Sequence, residues 1–247
     1  MCGRYARAKD KAALVEEFEV VEAPPEELQA DYNVAPTKQV YIVADRPPDD
    51  EHPTPRRRLA VARWGLVPSW AKDPGIGSKL INARAETAAE KPAYRRAFAK
   101  RRCLVPADGF YEWYEPADPA APRGRSGKPL KQPFFIHHAD GSSLAMAGLY
   151  EFWRDPQAGP EQPWLMTVTI LTTSASDAVG RIHDRMPLPL PEQQWRVWLD
   201  PSVGAQEAAE VLRSHTAEQL VAYPVSTAVN NVRNNGPELM EPVPAED

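Results

Sequence analysis

Leu144-Ala145-Met146-Ala147-Gly148-Leu149-Tyr150 and Leu165-Met166-Thr167-Val168-Thr169-Ile170-Leu171-Thr172 decide the fold class of this chain. Both are short runs rich in apolar and β-branched residues, bounded by turn formers, and both read as strands. The stretch between them, Arg154–Pro163, is Pro-rich and carries no apolar period, so it reads as a surface loop rather than a crossover helix. Parallel βαβ units require such a helix, and its absence points to antiparallel pairing.

Outward from this pair, Cys2–Arg7, Val40–Ala44, Leu59–Trp64, Leu80–Ala85, Phe110–Tyr114 and Phe134–His138 also read as strands. Helical patterns are fewer. They are Lys9–Phe18, Ala93–Arg102 behind Pro92, Pro191–Leu199 with Trp195, Trp198 and Leu199 at helical spacing, and Gln206–His215. A short turn or helix is expected over Ser174–Val179, and Asp45–Arg57 and Glu115–Pro133 read as Pro-rich loops. The expected fold is α+β: one domain over 1–247 (core about 2–240, short acidic tail), with a mainly antiparallel sheet or open barrel flanked by a few helices.

With 43% hydrophobic residues and seven tryptophans in 247 residues, the chain can bury a full core. Mean hydropathy is −0.51 and no apolar run approaches the ~20 residues of a membrane span. The N-terminus lacks a basic-then-apolar leader, so a soluble, cytoplasmic protein is expected. Cys2 and Cys103 do not form a disulfide framework, and Cys103 reads as a buried small hydrophobe. His52, His137, His138, His183 and His215 have no metal spacing, and His137 and His138 fall on opposite faces of a strand. No metal and no cofactor are expected. The net charge of −5 argues against a generic nucleic-acid binder but hides an asymmetry. Residues 52–131 hold 17 Lys and Arg against 7 Asp and Glu, whereas 132–247 hold 6 against 15. Arginines dominate the basic part (Arg56-Arg57-Arg58, Arg84, Arg95-Arg96, Arg101-Arg102, Arg123, Arg125), which suits bidentate contacts to phosphate in one anion-binding groove.

Candidate chemistry begins at Met1-Cys2-Gly3-Arg4-Tyr5. Methionine is normally trimmed before a small residue, which would leave Cys2 with a free α-amine and a thiol. Their ordinary pKa values, about 8 and about 8.5, bring both toward reactive forms near neutrality. Such a pair traps an aldehyde: the amine forms a Schiff base and the thiol closes a thiazolidine. In an extended chain Arg4 shares a face with Cys2; likewise Asn82, Arg84 and Glu86 share one face of Ile81–Glu86 and the small apolar residues take the other. Glu112 sits inside Gly109-Phe110-Tyr111-Glu112-Trp113-Tyr114, where an aromatic wall would raise its pKa and suit it to proton transfer. His183 lies in Arg181-Ile182-His183-Asp184-Arg185-Met186-Pro187, with neighbouring cations lowering its pKa and Asp184 opposing them.

These blocks, together with Asn33-Val34-Ala35-Pro36, Trp64-Gly65-Leu66-Val67-Pro68 and Asn230-Asn231-Val232-Arg233-Asn234, resemble the SOS-response-associated peptidase (SRAP) family from residue 2 to about 240. The resemblance implies a sensor of abasic sites in single-stranded DNA, including single-strand/duplex junctions at stalled forks. Its mature N-terminal cysteine would form a covalent thiazolidine with the ring-opened sugar. By matched motifs, Cys2 is the nucleophile, Asn82 positions it or stabilises the adduct, Glu112 assists proton transfer, and His183 serves ring opening and adduct reversal. Arg4, Arg84 and Arg185 fall where the family contacts phosphates, Trp70 where an aromatic supports displaced bases, and Pro36 and Thr172 along the groove. A monomer in the cytoplasm, associated with the nucleoid, is the implied setting. One departure stands out: the family often pairs two tryptophans where this chain has Trp70-Ala71. Three competing functions remain open: a cysteine peptidase, self-processing or otherwise, using Cys2 with His183; an N-terminal-nucleophile glutamine amidotransferase; and a non-catalytic single-strand binder.

Overall fold

The computed structural model describes residues 2–118, 122–124, 127, 129–159, 161–175, 177–214 and 220–243. The strands are β1 (Tyr5–Arg7), β2 (Asp31–Val34), β3 (Gln39–Arg46), β4 (Arg56–Trp64), β5 (Asn82–Arg84), β6 (Arg102–Ala107), β7 (Gly109–Tyr114), β8 (Gln132–His138), β9 (Leu144–Trp153), β10 (Leu165–Ser174), β11 (Arg185–Pro187) and β12 (Leu220–Pro224). The helices are α1 (Lys11–Glu17), α2 (Ala85–Ala88), α3 (Arg95–Lys100), α4 (Asp177–Gly180), α5 (Glu192–Leu199) and α6 (Ala205–Arg213).

Strands β10, β4, β3, β6 and β9 lie side by side, and β9 pairs back onto β10, closing a ring of five. All of its pairings are antiparallel except β10 with β4. The α+β, mainly antiparallel expectation holds, with the barrel closed rather than open. Past Val168, β10 exchanges β4 for β5, pairing Ile170 with Asn82 and Thr172 with Arg84. A second, fully antiparallel sheet runs β12-β8-β7-β1-β2.

The ring is buried on both faces, which explains its nearly continuous apolar runs. Along β3, Tyr41 and Val43 face the helices with Leu14, Phe18 and Trp195, while Val40, Ile42 and Ala44 pack toward Tyr5, Phe110 and Ile136 of the second sheet. The far face of that sheet is covered by the C-terminal segment through Val225, Val229 and Leu239. Cys103, on β6, is fully buried as expected.

Several boundaries move. β1 begins only at Tyr5, and the expected strand 80–85 shrinks to three residues before α2 takes over, so Glu86 lies on a helix. β3 and β4 extend into the expected loop 45–57, because Asp45 sits opposite Arg57 in register and pairs with it at 3.4 Å. The expected helix 93–102 stops at Lys100, and Arg102 opens β6. Its guanidinium is buried and donates to the carbonyls of Phe98, Trp198, Asp200 and Val203, which ties α3 and α5 to the ring. Arg125 and His215 lie outside the described residues. Among the described residues, no helix is long and apolar enough to cross a membrane.

Two glycines are fixed by close approach. Gly65 has φ +125°, and a Cβ there would sit 2.6 Å from the Gly77 carbonyl oxygen. A Cβ on Gly109 would strike the Phe135 ring and lie 2.6 Å from the Ile136 oxygen. Gly65→Ala therefore combines a backbone conformation reserved for glycine with a clash against main chain. It is expected to cost on the order of 3 kcal/mol, read as a lowered urea midpoint at unchanged slope.

Candidate functional site

The site forms where the chain start enters the space between the ring and the second sheet. The Tyr111 N–H donates to the Arg4 carbonyl at 2.9 Å and Tyr5 pairs with Phe110, so the first residues run antiparallel to β7 and bring Glu112 toward Cys2. From the ring side, Asn82 opens β5. Its neighbourhood is held by Trp64 Nε1 donating to the Ile81 carbonyl at 2.9 Å and by the Tyr94 hydroxyl donating to the Asn82 carbonyl at 3.1 Å. Asn82 Nδ2 then donates to the Cys2 carbonyl at 2.6 Å. Its buried Oδ1 accepts from no donor among the described residues, leaving an acceptor free beside the chain start.

The Cys2 side chain is fully buried, with Sγ 3.4 Å from the Arg4 carbonyl oxygen. Burial, and then the charge of nearby Glu112, push the thiol well above its ordinary range. The sequence suggested a thiol near its ordinary pKa and close to reactive near neutrality; this thiol is enclosed and neutral. Glu112 is 3% exposed, and burial pushes its carboxyl up to about 7. The aromatic wall read from the sequence therefore has the anticipated effect.

His183 precedes β11. Burial lowers its pKa, with Asp184 partly opposing. Its Nδ1 accepts from the Arg185 N–H at 3.0 Å and also lies 2.9 Å from Asp184 Oδ1. One ring nitrogen cannot accept the first proton and donate to the second group at once. Asp184 is 85% exposed in side chain and screened by solvent, so the backbone contact governs. The neutral ring then carries its proton on Nε2. Asp184 also contributes to the rise at Glu112, which links this loop electrostatically to β7.

The expected phosphate contacts divide. Arg84 is exposed and has no ion pair among the described residues. Arg185 is committed: it grips both carboxylate oxygens of Glu86, at 2.6 and 2.9 Å, and donates to the Thr172 carbonyl at 2.6 Å. Arg4 donates through Nη1 to Asn33 Oδ1 at 2.7 Å and to the Val229 carbonyl at 2.8 Å, below the Trp113 ring. Thr172, expected along the groove, is 1% exposed, and its hydroxyl lies 3.4 Å from the Ala83 carbonyl oxygen; it braces β5 against β10 instead. Pro36 is half-buried in a turn whose next residue, Thr37, has φ +74°. Trp70 is 61% exposed.

Much of the basic stretch is spent internally. Arg56 pairs with Glu22 at 2.6 Å, Arg57 with Asp45, and Arg101 with Glu151 at 3.2 Å. Asn33 is the organising residue that sequence reasoning passed over. Fully buried, it donates from Nδ2 to the carbonyls of Val229, Asn231 and Asn234 while accepting from Arg4, pinning the C-terminal segment to the chain start. Its only signal was the recurrence of asparagines in two distant motifs.

Comparisons with known proteins agree over nearly all of the chain. The family model described as SOS response associated peptidase (SRAP) matches residues 1–232. The abasic site processing protein YoqW of Bacillus subtilis is 38% identical over 98% of this chain and 99% of its own length. YedK of Escherichia coli, also named an abasic site processing protein, is 36% identical over 98% and 100%. A crystal structure of a protein from Bacteroides thetaiotaomicron covers 98% of this chain and 100% of that one with a TM-score of 0.79; at 24% identity it supports the fold alone.

Proposed function

This chain belongs to the SOS response associated peptidase family, and from that premise we propose that it processes abasic sites in single-stranded DNA by a covalent link through Cys2. While Met1 is attached, the Cys2 nitrogen is an amide; trimming converts it to a primary amine. The closed abasic sugar opens first: as the bond from C1′ to the ring oxygen breaks, the C1′ hydroxyl releases its proton to water and water protonates the ring oxygen. The His183 Nε2–H donates a hydrogen bond to that oxygen. The Cys2 amine adds to the aldehyde carbon and expels water, giving an imine. The thiol then adds across the C=N bond, its sulfur bonding to carbon while Glu112 relays the proton toward nitrogen. A carboxyl with pKa about 7 suits that relay near neutrality.

The observation that carries this reading is the meeting of two groups at Cys2: the Asn82 amide on its carbonyl at 2.6 Å and the Glu112 carboxyl near its thiol. The terminus is anchored at its carbonyl and at the Arg4 backbone, so the surroundings of the thiol are what must shift to admit a sugar. A peptidase using a ready-made Cys2 thiolate fits less well, because such enzymes depress the thiol pKa and here it is raised. Intact mass of the purified protein, before and after incubation with an abasic oligonucleotide, tests the proposal. The expected result is a chain lacking Met1 that gains the oligonucleotide mass less one water and survives denaturation without reductant. A Met1-retaining chain that forms the same adduct would refute the chemistry.

A further inference from the structure

Away from Cys2, a cleft of about 900 Å³ opens at the other end of β10. Two tryptophans line it, Trp70 and Trp164, with side chains left 61% and 59% exposed. Three arginines share the lining. Arg154 lies 4.8 Å over the Trp164 ring, Arg96 donates to Ser69 at 3.1 Å, and Arg101 neutralises Glu151. With Asp155 the other acid in the lining, the cleft keeps a net cationic balance. Large indoles left in solvent beside guanidinium groups fit the flat faces and phosphates of an unpaired polynucleotide strand.

The position also fits. The Gly65 N–H donates to the Val168 carbonyl and the Val67 N–H to Thr167 Oγ1, so the chain leading to Trp70 runs beside the first half of β10. Trp164 immediately precedes that strand. Asn82 pairs with Ile170, six residues on, a distance of ~20 Å at the rise of an extended chain. A strand with its lesion at Cys2 would reach this cleft a few nucleotides away.

Ala71 explains why the second aromatic comes from elsewhere. It is 3% exposed, packs with Val67 and Trp153, and accepts from Trp153 Nε1 at 2.7 Å, so no large side chain fits at 71. The geometry points to Trp164, delivered by the β9–β10 connection, as the partner of Trp70 in holding unpaired bases that flank the abasic site. This rests on the function proposed above, and it assigns a base-binding role to a residue that the family motifs do not mark.

The test uses strands carrying a reduced, aldehyde-free abasic analogue, so binding is read without covalent chemistry. The strands are extended stepwise on one side or the other by up to about six nucleotides. Fluorescence anisotropy should show affinity rising about tenfold on extending one side, at the step that reaches the cleft. That gain should fall below about twofold in Trp164→Ala and largely return in Trp164→Phe. Replacing the bases at those positions with base-free spacers should remove it in the unmutated protein, with no variant needed. Equal gains in unmutated and W164A protein, or a gain indifferent to the spacers, overturn the assignment. Loss of Cys2-dependent adducts on reactive strands would instead refute the proposed function, and the two failures are separable.

Discussion

Cys2→Ala protein, with Met1 trimmed, is expected to give no denaturation-stable adduct unless borohydride is added, and to nick the abasic strand instead. Alanine keeps the α-amine, so the imine still forms. What disappears is the sulfur that converts it to a ring. In the native chain the thiol is borne by the same residue as the imine nitrogen, and well-oriented intramolecular reactions have effective molarities of about 10⁵ M or more. No thiol from solution replaces that at millimolar concentration. An imine left open at C1′ acidifies the hydrogen on the adjacent C2′, and loss of that proton to water expels the phosphate from C3′, so strand breakage should rise as stable adduct falls. Denaturing gels with and without borohydride read both products. Undiminished reductant-independent adduct in the alanine variant would mean that the link lies elsewhere in the chain. The Asn82 contact gives a useful control. It is made to the Cys2 carbonyl, which alanine retains, so the terminus should stay in place while the chemistry changes.

How far the sequence carried this reading differs from element to element, for physical reasons. Strands β9 and β10 were legible because both their faces are buried, which demands an unbroken apolar or β-branched run. β2, β11 and β12 were not. Each is short and lies at a sheet edge, where the ladder partner rather than local composition decides the conformation. Glu112 was legible because an acid among aromatics leaves few bland explanations, and its raised pKa is the consequence. The arginines were misleading. Side-chain type reports a charge but not its partner, and Arg102, Arg57 and Arg185 find theirs in carbonyls and carboxylates far along the chain. Thr172 failed similarly: the resemblance placed it along the groove, but its hydroxyl is taken up by the Ala83 carbonyl and the Arg185 guanidinium. The enclosure of Cys2 could not be read locally at all, since the groups beside it come from β5 and β7 and the core cluster it joins is drawn from strands of both sheets.

Glu112 gives the second large effect, because its activity and its cost to stability have one origin. Its folded-state pKa of about 7 stands above the 4.5 of an ordinary glutamate, and burial is the main cause. Between those values the folded chain keeps a proton that the unfolded chain has released. Its contribution to stability is thus fully present below pH about 4.5 and is lost as pH rises through about 7. At 1.36 kcal/mol per pKa unit, the loss is on the order of 3 kcal/mol. Glu112→Gln keeps the shape and removes the titration. The variant should therefore show a flatter stability profile across that window, and at pH 8 it should unfold at higher urea concentration than the native chain. The same substitution removes the group that moves the thiol proton, so adduct formation should slow by about 10²-fold or more, and the rise of rate with pH through about 7 should vanish. A variant that gained stability at pH 8 but crosslinked at the native rate would leave Glu112 a buried acid with no part in proton transfer. One that lost both stability and rate would mark it as a structural ligand whose ionised form the fold prefers. The predicted combination, a steadier protein with slower chemistry, is what an acid held neutral by its surroundings and used as a base requires.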